Sequence, residues 1–219
     1  MSNPSLNKTT FADLLELQLP GLPSSRDKLF TSEEDWWNNA CLDSGSNGWI
    51  LYAAGYKDAA DILVAQVEER SAGQDTLVYP ILFLYRQYLE LEIKDTLRAA
   101  RQLQDISSDP PVHHRIADLW TELHKHLLEI SPGDSVKELQ AIGRLIREFA
   151  EADPLSFAFR YPVDKRGNPS LPSMTQINLR NVREVMAKID VTLSGAGSLV
   201  YEHLQFKLDQ EREFRDACY

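Results

Sequence analysis

Long apolar runs, paired cysteines and the common nucleotide-binding signatures are all missing from this chain of 219 residues. The longest greasy stretch, "YPILFLY", ends at Arg86, far short of what a bilayer-spanning helix requires. The opening "MSNPSLNKTT" has neither the charged nor the apolar region of a secretory leader, so the expectation is a soluble, cytoplasmic protein with no membrane partner. Cys41 and Cys218 are isolated, without CxxC or Cys/His ligand spacing, which predicts two unpaired thiols and no metal or other cofactor. No GxGxxG, Walker loop, GxSxG or paired catalytic Cys and His is present, which argues against dinucleotide, NTP-hydrolysing and acyl-transfer enzymes. Positive charge is scarce too. With 23 Lys and Arg against 33 Asp and Glu, the net charge of −10 excludes a general grip on nucleic acid phosphates and leaves room only for a local basic patch.

What is present is an ordinary globular composition, 43% hydrophobic and 26% charged, in a chain long enough for one generous domain. Pro20, Gly21 and Pro23 mark residues 1–30 as an N-terminal arm, and 31–219 reads as a single helical domain. Thr31 or Ser32 can cap a short helix over "TSEEDWW". From Trp49 to Arg70 apolar residues recur at three and four, and the short "SAGQD" connection turns the chain back into the next helix. That helix is apolar around nearly its whole first half, from Ile81 to Leu97, and is therefore expected at the centre of the bundle. Pro110 and Pro111 are placed to open "VHHRIADLWTELHKHLLEI", and "VKELQAIGRLIREFAEAD" makes a further amphipathic helix. The period then changes: Leu155, Phe157, Phe159, Tyr161 and Val163 alternate as in a strand, and "DKRGNP" reads as a turn. Pro162, Pro169 and Pro172 restrict this to a small β-hairpin at an edge, or an ordered loop, near 155–175. Asn178 caps a last long helix reaching about residue 215, in which Gly195 and Gly197 mark a kink or a close approach. The fold class expected is all-α.

One stripe stands out. Arg86, Glu90 and Lys94, four apart on one helix face, thread charge through the apolar stretch, with Glu90 able to pair with both neighbours. Their remaining donors need partners from elsewhere, and His113, His114 and Asp118 are the candidates. Two readings stay open: a structural polar network of Arg86, Glu90, Lys94 and Asp118, or a catalytic pocket in which Arg86 works with His113 or His114. His113, His114, His124 and His126 lack a zinc-site spacing and read as helix-surface residues, and His203, alone on an apolar face, as a core residue. In "FRYPVDKRGNP" the cations Arg160, Lys165 and Arg166 are interleaved with aromatics, a pattern that can stack bases and meet phosphates or contact a partner.

The succession "GYKDAADILV", "LVYPILFLYRQYLELEIKDTL", "HHRIADLW", "FRYPVDKRGNP" and "INLRNVREVM", spanning about residues 49–205, resembles uncharacterised bacterial proteins of HEPN-like type. The resemblance implies a compact helical bundle, often homodimeric, of the kind found in toxin–antitoxin pairs and antiviral defence. Many such domains are metal-independent ribonucleases that use an Arg, a following polar residue and a His a few positions on, brought together across a dimer. Arg86 followed by Gln87 matches the first half of that motif, and no Arg in this chain has a His at the required spacing. The expectation is thus a non-catalytic or degenerate HEPN-like module in bacterial defence or stress response, acting through protein or RNA binding. The alternatives are a metal-independent endoribonuclease pairing Arg86 with a spatially adjacent His, and a homodimeric scaffold.

Overall fold

The computed structural model of the chain describes residues 21–42, 48–106, 109, 112–133 and 136–217. The chain divides into two units after residue 43. In the first, the helix expected from Thr31 does not form; a single 3-10 turn, Trp36–Asn38, stands in its place. Asn39 accounts for this: its Oδ1 accepts from the Glu33 N–H at 3.0 Å and its Nδ2 donates to the Glu33 carbonyl at 2.6 Å. Such a clamp offers the backbone an alternative to the helix ladder. With Trp36 and Trp37 both exposed, no buried apolar face compensates. Cys41 is free and exposed, whereas Cys218 lies outside the described residues.

The second unit is an all-α bundle, with five α-helices and no β-strand among its described residues: α1 (Gly48–Arg70), α2 (Gln74–Leu103), α3 (Ile116–Ile130), α4 (Val136–Ala152) and α5 (Leu179–Ala217). No helix among them is long and apolar enough to cross a membrane. Ser71 and Gly73, with φ of 50° and 87°, turn the chain between α1 and α2, which pack on each other. α2 also packs against α3 and α5, and fourteen of its residues are buried against four in α1. Its buried set is not purely apolar, since it includes Arg86, Glu90, Lys94, Asp95 and Thr96. α3 buries the expected stripe of Ile116, Leu119, Trp120, Leu123 and Leu127, and α4 buries Leu139, Ile142 and Ile146.

Two features differ from the sequence reading for physical reasons. α3 starts at Ile116, leaving His113 and His114 ahead of it; Pro110 and Pro111 lie outside the described residues. The His114 carbonyl, which an earlier start would give to the helix ladder, accepts instead from Arg86, and the Arg115 carbonyl takes the first helical N–H groups. The strand expected over Leu155–Val163 is absent. The segment is an ordered loop whose only ladder pairing among the described residues is an isolated antiparallel bridge between Val163 and Pro169. Asp153 turns the chain there, its Oδ1 accepting from the N–H groups of Phe157 at 2.6 Å and Ala158 at 2.9 Å, and Ser156 takes a left-handed φ of 57°. The alternating aromatics pack locally instead, Phe157 stacking on Tyr161 at 4.6 Å and Phe159 meeting Phe149 edge-on at 5.9 Å. α5 begins as expected, capped by Asn178 Oδ1, which accepts from the Asn181 N–H at 3.0 Å, and runs unbroken through both glycines. Gly197 marks a close approach, because a methyl group there would lie 3.2 Å from Thr96 Oγ1; Gly195 faces open space.

Candidate functional site

The stripe on α2 is a closed network. Arg86 has no exposed surface and Glu90 retains 2%. Glu90 Oε2 accepts from Arg86 Nη1 at 3.1 Å and Oε1 from Lys94 Nζ at 2.8 Å, so the helix spacing of four neutralises much of the charge within one face. The other donors of Arg86 reach two loops: Nη2 donates to the His114 carbonyl and Nε to the Asp153 carbonyl at 3.4 Å. One guanidinium thereby ties the segment before α3 and the segment after α4 to α2. Burial pulls Arg86 below the usual guanidinium pKa, against the opposing pull of Glu90 and Asp153, and the group remains a cation. Burial raises the Glu90 carboxyl, but hydrogen bonds from Lys94 and His114 and the charges of Lys94 and Arg86 outweigh it, leaving it below its ordinary value.

His114 joins this network through two different groups. Its carbonyl binds Arg86, while its imidazole Nδ1 lies 2.7 Å from Glu90 Oε1 and its side chain is 60% exposed. Glu90 therefore stands between imidazole and guanidinium, and only the imidazole reaches solvent. An Arg sealed in this way cannot touch a phosphate, whereas the ring, oriented from below by a buried carboxylate, could accept a proton at its surface. His113 stays outside, its Nδ1 accepting from the Arg115 N–H at 3.3 Å. Asp118, expected in the network, is exposed and pairs with Arg115 Nε at 2.6 Å; its position two residues into α3 points it to solvent.

The 153–178 segment builds a second feature. Arg160 Nε donates to the Ser156 carbonyl at 2.6 Å, and its guanidinium lies 5.7 Å from the ring centres of both Phe83 and Tyr161. Arg160 lines a cleft of about 1070 Å³ with Tyr79 and Leu82 of α2 and Phe159, Tyr161 and Met174 of the loop. An adjoining apolar hollow of about 430 Å³ shares Leu82, Phe159 and Met174 and continues over α4 and α5. Between residues 154 and 183 the chain carries Arg160, Lys165, Arg166, Arg180 and Arg183 but a single acid, Asp164. Arg180 and Arg183 are engaged by Glu68. The Asp164 carboxylate accepts from the N–H groups of Asn168 and Arg166 and from the Asn168 amide, which hold it below its ordinary value. Lys165 and Arg166 sit exposed on that turn, and no carboxylate lies within ion-pair distance of Arg160, Lys165 or Arg166 among the described residues.

The other histidines divide differently from the surface set expected. His126 is buried with Nδ1 against Gln104, the residue that follows α2, His124 stacks on Trp120 with ring centres 5.7 Å apart, and His203, expected in the core, is exposed. No cluster of three metal-ligating side chains occurs among the described residues. Two residues escaped the sequence reading. Asp153, with 1% exposure, was hidden because a lone Asp after a helix looks like a solvated terminus. Glu92 was hidden because its charge neighbours lie on other turns and on α5: burial, then Asp95 and Asp190, push it up to about 7. Comparison of the chain with protein-family models, with curated proteins and with solved structures finds no match.

Proposed function

We propose that the chain is a non-catalytic helical module of HEPN-like type, built round α2 and used in bacterial defence or stress response, which acts by binding single-stranded RNA along Arg160, Lys165 and Arg166. The observation that carries the non-catalytic part is that Arg86 has no exposed surface and is separated from the His114 imidazole by Glu90. The binding part is supported by the basic island between 154 and 183 in a chain of net charge −10, set beside a cleft in which the exposed Tyr79 ring offers a face on which a base stacks. As part of the same proposal the module pairs as a homodimer, with the exposed Val191, Phe206 and Phe214 of α5 as candidate contacts, a point light scattering decides.

The test is binding and cleavage of a labelled single-stranded RNA by the full chain. The expected result is retention of intact RNA, with affinity falling steeply as salt rises and weakening in a Lys165→Ala/Arg166→Ala variant. One observation favours the endoribonuclease alternative, the exposed His114 ring held by a buried carboxylate. Metal-independent cleavage that disappears in His114→Ala would establish that alternative and discard the non-catalytic reading.

A further inference from the structure

We propose that Asp153, held against the buried Arg86, is the positioning residue of Arg160, so that the charge network inside the bundle sets the geometry of an oxyanion-binding guanidinium at its surface. The inference rests on the reading of the Arg160 cleft as a binding site and adds what orients its cation and which chemical group it takes.

The chain of contacts is continuous. Arg86, anchored by Glu90, donates to the Asp153 carbonyl, and its charge faces the Asp153 carboxylate. That carboxylate caps the N–H groups of Phe157 and Ala158, forcing a turn in which Ser156 adopts φ of 57°. A left-handed serine directs its carbonyl where the Arg160 Nε–H can reach it, and the guanidinium lies over the Phe83 and Tyr161 rings at 5.7 Å from each centre. With Nε occupied, the two Nη groups carry no hydrogen bond among the described residues, which leaves the fork that recognises a planar or tetrahedral oxyanion in two-pronged fashion. Asp153 Oδ2 has no hydrogen-bond partner although the residue is buried. An Asn would cap the same N–H groups without burying a charge, so the feature specific to Asp153 is the attraction between its charge and Arg86. The ligand group is therefore a phosphate oxyanion bound beside an aromatic or apolar body, which either an RNA strand or a free nucleoside monophosphate supplies.

The experiment compares wild type, Asp153→Ala, Asp153→Asn and Arg160→Lys in the full chain by two readouts. The first is solvent exchange of the Arg160 Nε–H and of the Phe157 and Ala158 amides without ligand. The second is affinity for a labelled single-stranded RNA and, in a separate arm, for adenosine monophosphate. Asp153→Ala is expected to speed exchange at all three groups and to weaken binding by about tenfold, the scale of one lost charge-assisted hydrogen bond. Asp153→Asn is expected to fall between it and wild type. Arg160→Lys, which keeps the charge but has no Nε–H, is expected to bind as weakly as Asp153→Ala. Exchange at Arg160 Nε–H that stays at the wild-type rate in Asp153→Ala overturns the proposal, as does unchanged affinity despite faster exchange. Should Asp153→Ala fail to fold, the isosteric Asp153→Asn carries the same comparison. Wild type that binds neither ligand removes the RNA reading, and the exchange data alone then decide whether Asp153 positions Arg160. Binding of the monophosphate as tightly as the strand identifies the free nucleotide as the source.

Discussion

Two faces of α2 carry charge into the bundle, and they are balanced in opposite ways. On one, Glu90 lies between two cations, Arg86 and Lys94, with the His114 ring as a third neighbour, and its pKa falls below the ordinary value in spite of burial. On the other, Glu92 faces acids. Asp95 is claimed by Arg98 at 2.9 Å and by the Tyr201 hydroxyl, while Asp190 is claimed by Lys57 at 3.5 Å and by the Tyr88 hydroxyl. No cation pairs with Glu92 among the described residues, and burial, then the two acids, raise it to about 7. Burial raises both carboxylates; at Glu92 it is the largest cause and the neighbouring acids add to it, whereas at Glu90 the hydrogen bonds and neighbouring cations reverse it.

The comparison can be broken most forcefully at Arg86. Arg86→Ala leaves Glu90 and Lys94 as an incomplete buried set and frees the His114 and Asp153 carbonyls, and a loss of about 3–5 kcal/mol in denaturant unfolding is expected. A loss under about 1 kcal/mol would show that the network holds nothing together. On the opposite face the expected change has the other sign. Glu92 binds its proton more tightly folded than unfolded, so its favourable contribution is complete below pH 4.5 and is lost as pH rises through about 7. Glu92→Gln should therefore match wild type at pH 4 and exceed it at pH 8. The full shift corresponds to about 3 kcal/mol, and solvent screening of a partly exposed group reduces the expected gain to about 1–2 kcal/mol. A variant that is equally stabilised at both pH values would show that the gain comes from packing and not from ionisation.

The smallest effect sharpens the seam between α2 and α5. Gly195→Ala, into open space on a helix, should gain about 1 kcal/mol in thermal unfolding. Gly197→Ala meets Thr96 Oγ1 at 3.2 Å, so crowding should cancel the same propensity gain and leave a change within about 0.5 kcal/mol of zero. Equal gains at both positions would remove the close approach as an explanation.

Helix existence was legible because three-and-four spacing encodes burial on one side: the stripes of α3 and α4 and the cap at Asn178 are all found where the pattern puts them. The Glu90 pairs were legible because both partners lie one turn away. The 155–163 segment was not, since alternating aromatics satisfy a strand and a folded loop equally, and the decision fell to the Asp153 cap. Asp118 and His203 failed for a related reason. A helical residue's exposure depends on whether a neighbour covers its face, and periodicity states only which residues share one.

The amino-acid order alone determined that this chain is helical, where its principal helices run, and that Arg86, Glu90 and Lys94 must meet, because each of these follows from spacing within a few turns. Tertiary structure decided that Arg86 is sealed from solvent, that the His114 imidazole reaches Glu90, and that Arg86 donates to the Asp153 carbonyl. Those outcomes depend on contacts between residues up to 67 positions apart, whose geometry exists only once separate helices have packed.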